Sequence, residues 1–239
     1  MELLNLSTLL RENSYPGRGI VIGRTADGKK SAIAYFIMGR SENSRNRVFT
    51  TTGDGIRTEA FDPSKMVDPS LIIYRPVRRL GDRLIVTNGD QTDTVYDAVK
   101  AGGSFEDALR TRTFEPDGPN WTPRISGMTS HTGAGEFSVQ LSILKSADGN
   151  GDCCQRYFFD YPSLPAGEGR FLHTYKQDGD PIPSFEGEPE RVAVTAPNAA
   201  AWAEELWANL NPDNKVSLYV VYTDPATGER DEVIRNANQ

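Results

Sequence analysis

The chain is poor in the side chains that build metal and redox sites. Its 239 residues include two cysteines and two histidines. The cysteines are adjacent, Cys153-Cys154, and neighbouring residues of a strand face opposite ways, so a disulfide between them is not expected. Without a spaced Cys/His/Asp set, no zinc site is expected either. Positive charge is not in excess: 26 Lys+Arg stand against 33 Asp+Glu, a net charge of −7. That balance disfavours general binding to nucleic acid or to an anionic membrane. No apolar run approaches the roughly 20 residues of a membrane span. The opening MELLNLSTLLRENSYPGRG lacks the basic n-region of a secretory signal. These absences point to a reduced, cytoplasmic protein. There is no G-x-S-x-G, no Cys–His pair close in sequence, no P-loop and no dinucleotide fingerprint. Nothing calls for ATP, NAD, a metal or any other cofactor. His173, set among alternating apolar residues, reads as structural.

What is present is mostly strand. Residues 19–23 and 31–38 are apolar runs separated by Ala26-Asp27-Gly28-Lys29, a hairpin turn. Residues 71–77 and 83–87 read as strands joined around Gly81-Asp82, followed by strands at 137–144, 155–161, 170–175, 216–223 and 229–234. Helices are expected at 92–101, at 104–112 with Ser104 and Asp107 in capping-box spacing, and at 197–210 with Trp202, Leu206 and Leu210 on one face. This order is not a βαβ alternation, so a doubly wound parallel sheet is not expected. It fits an α+β protein of antiparallel sheets with helices outside. With no linker or repeat, residues 1–239 read as one domain, residues 1–18 as an extension and 192–239 as a helix plus hairpin.

Three polar clusters interrupt this pattern. Residues 39–47, GRSENSRNR, follow an apolar strand and carry Arg40, Arg45 and Arg47 among serines and asparagines. Arginine's planar fork fits phosphate or carboxylate, so the loop is either an anion site or a solvated loop paired with nearby acids. Residues 87–94, TNGDQTDT, lie between a strand and a helix; Asp90 or Thr92 could cap that helix, leaving backbone N–H groups for an anion. The alternative is an ordinary capped turn. Residues 115–125, EPDGPNWTPRI, form a proline-stiffened connection between Glu115 and Arg124, or a plain surface loop.

Taken in order, GRSENSRNR, IIYRPVRRLGDRLIVTNGDQTDTV and NWTPRI resemble the archaeal-type IMP cyclohydrolase family. That family has an S-R-S-x-x-N-R-like loop, an I-x-Y before a G-D hairpin, an S/T-N-G-x-x-T-D-T turn and a T-P-R-I segment. The arginine loop here is one or two residues longer than the family form, and Arg47 keeps its register best. The resemblance implies a four-layer αββα fold similar to the N-terminal-nucleophile hydrolases. It does not imply their chemistry, which needs an N-terminal Cys, Ser or Thr. Here the first residues are Met1-Glu2-Leu3, and processing before Ser7 or Thr8 has no supporting signal.

The resemblance also implies a reaction: dehydrative ring closure of 5-formamidoimidazole-4-carboxamide ribotide to IMP, the last step of purine synthesis, with no cofactor. By motif, Tyr74 would bond the formyl oxygen, Glu115 would orient or deprotonate the carboxamide, and Arg47 would neutralise charge at the reacting centre or phosphate. Tyr74 could instead be a half-buried strand tyrosine, and Arg47 a structural ion pair. Arg40, Ser41, Asn88, Gly89, Thr92 and Arg124 are candidates for phosphate, ribose and base contacts. Asp93 would accept from a ribose hydroxyl or sit at a helix start. The partners implied are the purine ribonucleotide substrate and product, and a homo-oligomer is expected for an enzyme of this size. Two other classes remain: a purine-nucleotide-binding protein without catalysis, and an amide hydrolase on the related fold.

Overall fold

A computed structural model describes residues 3–238. Two antiparallel sheets form its centre. The first has six strands in the order β11-β10-β1-β2-β12-β13, spanning β1 Arg18–Arg24, β2 Ser31–Met38, β10 Glu168–His173, β11 Glu190–Ala193, β12 Lys215–Thr223 and β13 Arg230–Asn236. The second has seven strands in simple sequence order, β3 to β9: β3 Arg47–Thr52, β4 Gly55–Ala60, β5 Val77–Leu80, β6 Arg83–Thr87, β7 Arg124–His131, β8 Phe137–Ser146 and β9 Cys154–Tyr161. The expected antiparallel α+β architecture is what the chain adopts.

Strand alternation decides which side chains meet in the middle. Ile20, Ile22, Ile33, Tyr35 and Ile37 of the first sheet pack against Phe49, Ile56, Val86, Ile125, Val139 and Leu141 of the second. Gly127 marks a close approach of the two sheets, where a Cβ would come within 2.8 Å of Ile22 Cδ1. The opposite face of the first sheet, with Val21, Ala34, Phe36 and Val220, is covered by α1 (Leu6–Glu12) and α5 (Ala199–Asn209). The outer face of the second sheet carries Ile85 and Met128 beneath α3 (Gln91–Lys100) and α4 (Phe105–Arg110). Four layers result. None of the described helices is long and apolar enough to cross a membrane.

Caps fix the helix ends. Ser104 Oγ accepts from Asp107 N–H at 3.0 Å, and Asn198 Oδ1 accepts from Ala201 N–H at 2.8 Å. The terminal segments are integral to the layers. Leu6 and Leu10 of α1 join the helix-side core, and β12 lies between β2 and β13. Trp202 anchors this layer at 1% exposure, edge-on to Tyr222. Trp202→Ala is expected to lower unfolding free energy by about 3–5 kcal/mol, read by urea denaturation, because so large a void does not close.

The structure departs from the expected elements in six places. Residues 71–76 are a loop and β5 begins at Val77: Ile72 and Ile73 N–H groups fold back onto Pro69 O, and Pro76 has no N–H for a ladder. The β3–β4 hairpin, β7, β11 and α1 are not among the expected elements. In the hairpin Thr52 pairs with Gly55 across a Gly53-Asp54 turn. Within the first polar cluster, Glu42–Arg45 forms a short helix, α2, with a Ser41–Ser44 capping box.

Candidate active site

One end of the sandwich collects the charged side chains. Arg18 opens β1, Met38 closes β2, Arg47 opens β3 and Arg124 opens β7. Glu115 reaches the same end from the proline-rich connection, where its N–H donates to Thr122 O at 2.9 Å. Thr122 is held in turn: its N–H donates to Asp117 Oδ1 at 2.7 Å, and its hydroxyl lies beside Asp117 and 2.5 Å from the Tyr175 hydroxyl.

Of the three arginines in the first cluster, two are tied down at the surface. Arg40 pairs with Asp178 at 2.7 Å and lies over the Tyr15 ring. Arg45 Nε donates to Gly39 O at 2.8 Å. Arg47 is different: it is 0% exposed. Its Nε donates to Ser44 O at 2.7 Å and its Nη2 reaches Met38 O at 3.5 Å. Its Nη1 is buried without a hydrogen-bond partner. Burial, opposed by Tyr74, holds the Arg47 pKa below the usual value. A buried cation with an unused donor is costly unless something else completes it.

Tyr74 lies in the loop before β5 and is buried. Its backbone is pinned twice by Thr58: the Tyr74 N–H donates to Thr58 Oγ1 at 2.8 Å and its carbonyl accepts from Thr58 N–H at 2.9 Å. Its hydroxyl lies 2.8 Å from the Tyr35 hydroxyl. Glu115 is 2% exposed and 3.5 Å from Arg18 Nη2. Burial raises the Glu115 pKa, against the pull of Arg18, Arg124 and Arg47. Burial likewise pushes the Tyr175 pKa up to about 12. Arg18 stays charged because Glu115 and the surrounding tyrosines outweigh its burial. Arg47, Tyr74 and Glu115, distant in sequence, thus share one buried electrostatic cluster.

The remaining predicted residues divide into three groups. Arg40 and Ser41 join Arg18 and Arg47 around a cavity of about 250 Å³. Asp93 lines a wider cleft of about 670 Å³ together with Tyr74 and Arg75; its carboxylate pairs with Arg75 and Arg78. Asn88, Gly89, Thr92 and Arg124 lie where the β6–α3 turn meets the start of β7, and each makes hydrogen bonds within the protein. Asn88 donates to Pro123 O and accepts from Ile125 N–H and the Gln91 amide. Thr92 bonds Thr87 and Gly89. Arg124 pairs with Asp90 and Gln91, at 2.7 Å each. Gly89 packs so tightly that a Cβ would sit 2.5 Å from Arg124 Nη1. Asp90 stands at the N-cap of α3 without capping it, and the Thr92 and Asp93 N–H groups turn back onto Gly89 O and Asp90 O. That leaves the first turn of α3 less open to an anion than the sequence suggested. His173 is buried, its Nδ1 2.8 Å from Tyr175 O and its ring stacked on Phe171; His131 lies at the opposite end of β7.

Sequence reasoning missed Arg18 and Tyr35. Both sit in runs that read as plain strand, RGIVIGR and SAIAYFIM. The one available signal was a charge at the mouth of an otherwise apolar strand.

These residues lie within a region that matches known proteins. A sequence model described as IMP cyclohydrolase-like protein matches residues 15–229. A Methanopyrus kandleri protein named IMP cyclohydrolase is 31% identical over 182 residues, covering 72% of this chain and 89% of that one. A Methanosphaera stadtmanae protein of the same name is 30% identical over 217 residues, covering 89% and 91%. A match of this extent makes the chain a member of the IMP cyclohydrolase-like family.

Proposed function

We propose that the chain is an IMP cyclohydrolase, closing 5-formamidoimidazole-4-carboxamide ribotide to IMP with loss of water. The observation that carries this reading is the buried Arg47–Tyr74–Glu115 cluster with a free guanidinium donor, in a chain of this family. In the reaction the carboxamide nitrogen attacks the formyl carbon of the same molecule. The formyl oxygen gains charge, takes up two protons and leaves as water, balanced by one N–H proton lost from the carboxamide nitrogen and one from the formamido nitrogen. No external nucleophile is consumed. Holding the two groups in the reactive rotamer supplies much of the acceleration, on the order of 7–11 kcal/mol for well-oriented intramolecular reactions.

The protein then needs two proton-handling groups. Tyr74 donates to the formyl oxygen as charge develops there. Glu115 takes the carboxamide proton, and its raised pKa makes it a stronger base than an ordinary carboxylate. Arg47 stabilises the anionic adduct, and Arg18 keeps Glu115 oriented. Arg40 and Ser41, on the same cavity as Arg47, are assigned to the phosphate. Asp93, on the cleft beside Tyr74, is assigned to the ribose, and Asn88, Gly89, Thr92 and Arg124 to shaping the floor beneath the base. The same reading carries one domain over residues 1–239, a homo-oligomer and a cytoplasmic setting; the unpaired Cys153 and Cys154 suit a reducing compartment.

The purified chain, given the formamido ribotide without metal or folate, is expected to form IMP, followed by absorbance. Binding of IMP with no acceleration over the buffer rate would mean a nucleotide-binding protein instead. Glu115 adds a pH signature. Its folded pKa is raised, so the active carboxylate is lost as pH falls through a value above the ordinary range of about 4.3. The acid limb of kcat/KM therefore lies above that range, and Glu115→Gln removes the limb with about 10²-fold of the rate. The stability sign is opposite to that of a salt-bridged carboxylate. Folding favours protonated Glu115, so its contribution falls as pH rises from the unfolded pKa to the raised folded one.

A further inference from the structure

We infer that Tyr35 is a positioning residue for the proposed ring closure: its hydroxyl donates to the Tyr74 oxygen and so commits the Tyr74 proton to the substrate. The inference rests on the reading of Tyr74 as the donor to the formyl oxygen. Two phenols 2.8 Å apart share one hydrogen bond, and one of their two protons is left over. Which proton is left over decides whether Tyr74 can serve as a donor.

The surroundings of Tyr35 answer this. Its side chain is 0% exposed, in the middle of β2 and stacked on Phe49 at 5.7 Å. Among the described residues, the Tyr74 oxygen is the one hydrogen-bond partner of the Tyr35 hydroxyl. The charged groups acting on Tyr35 are Arg18 and Arg47. A guanidinium has donors only and cannot take a phenol proton. If Tyr74 donated inward, the Tyr35 proton would be buried against two cations with no acceptor. If Tyr35 donates outward, its own proton has an acceptor, and the leftover proton belongs to Tyr74, a residue that lines the 670 Å³ cleft. Burial also keeps Tyr35 protonated, raising its pKa far above the ordinary value, so it does not become a phenolate acceptor. A second effect follows. The Tyr35 hydrogen bond strengthens as negative charge grows on the Tyr74 oxygen, which happens as Tyr74 gives its hydrogen bond to the forming alkoxide.

Tyr35→Phe keeps the ring and its stacking, so the fold and the nucleotide pocket are retained. The test compares Tyr35→Phe, Tyr74→Phe and the double variant for kcat, KM, IMP affinity and thermal unfolding. Tyr219→Phe is the control. Tyr219 is an equally buried tyrosine paired with Tyr35 across β2–β12, but its hydroxyl goes to Glu232. Tyr35→Phe is expected to lower kcat about tenfold, the size of one hydrogen bond, with IMP affinity unchanged. In the Tyr74→Phe background the same change is expected to alter kcat less than about twofold, since its path to the substrate is already cut. Tyr219→Phe leaves kcat at the wild-type value. Full kcat in Tyr35→Phe, or equal losses in both backgrounds, overturns the inference. A wild-type chain without turnover overturns the underlying reading and this inference with it, whereas an active wild type beside an unaffected Tyr35→Phe overturns this inference alone.

Discussion

Tyr74→Phe is expected to lower kcat about 10²- to 10³-fold while IMP affinity changes by less than about threefold, because one preorganised donor to a developing oxyanion is worth that much in the rate and little in the ground state. The split follows from how Tyr74 is held. Both of its backbone hydrogen bonds run to Thr58, so the ring keeps its place when the hydroxyl is removed. The structural cost is the lost partner of Tyr35, about 1 kcal/mol. The product has no formyl oxygen, so IMP has nothing to lose at Tyr74. Steady-state kinetics with the formamido ribotide, together with IMP titration, reads both quantities. Parallel losses in kcat and IMP affinity would make Tyr74 a packing residue.

Arg47→Met is expected to lower kcat/KM about 10³-fold and to weaken IMP binding, yet to leave stability within about 1 kcal/mol of wild type or above it. The first part rests on charge: a guanidinium at the reacting centre, in a site shielded from water, acts on both the adduct and an anionic nucleotide. The second rests on desolvation. Arg47 is fully buried, no carboxylate among the described residues lies within salt-bridge distance of it, and burial lowers its pKa. Folding therefore works against this charge, and an apolar side chain of similar length relieves that cost, as replacing buried ions by hydrophobes often does. The lost bonds to Ser44 O and Met38 O offset part of the gain. Kinetics and urea unfolding on the same preparation test the claim. A variant destabilised by several kcal/mol but normal in IMP binding would show that Arg47 serves the fold.

The fold was legible where local signals and tertiary context agree. Residues 32–38 are an unbroken apolar run, and the strand Ser31–Met38 that holds them is buried along its whole length; Ser104 caps the helix its spacing announced. Legibility failed where context overrides composition. The β7 sequence RISGMTSH looks like a loop because its centre is Gly127, and that glycine is what two sheets in close contact require. Helix α1 has seven residues, too short to form without α5 to pack on. The β3–β4 hairpin is rich in threonine, and its turn, Gly53-Asp54, is easily passed over.

The candidate site was legible in a different way. No local chemistry distinguished Arg47 from Arg40 or Tyr74 from any strand tyrosine; the order of three short motifs did, and the three residues it selected share one buried cluster. Arg18 and Tyr35 escaped because their roles come from the face on which a strand residue lands and from what the other sheet brings opposite. Asn88 and Thr92 show the reverse case. Their amide and hydroxyl looked available in the sequence, but the fold uses them to fasten the β6–α3 turn to β7.

The most direct test of the central claim is a crystal structure of the chain with IMP bound. The new ring bond joins the former carboxamide nitrogen, N1 of the purine, to the former formyl carbon, C2. In that complex N1–H is expected to donate to the Glu115 carboxylate, with C2 beside the Tyr74 hydroxyl and Arg47 Nη1 completed by a nucleotide oxygen. IMP seated elsewhere, for example in the cavity at the opposite end of the sandwich lined by Arg79, Arg83 and Arg230, with Arg47 Nη1 still unpaired, would contradict it.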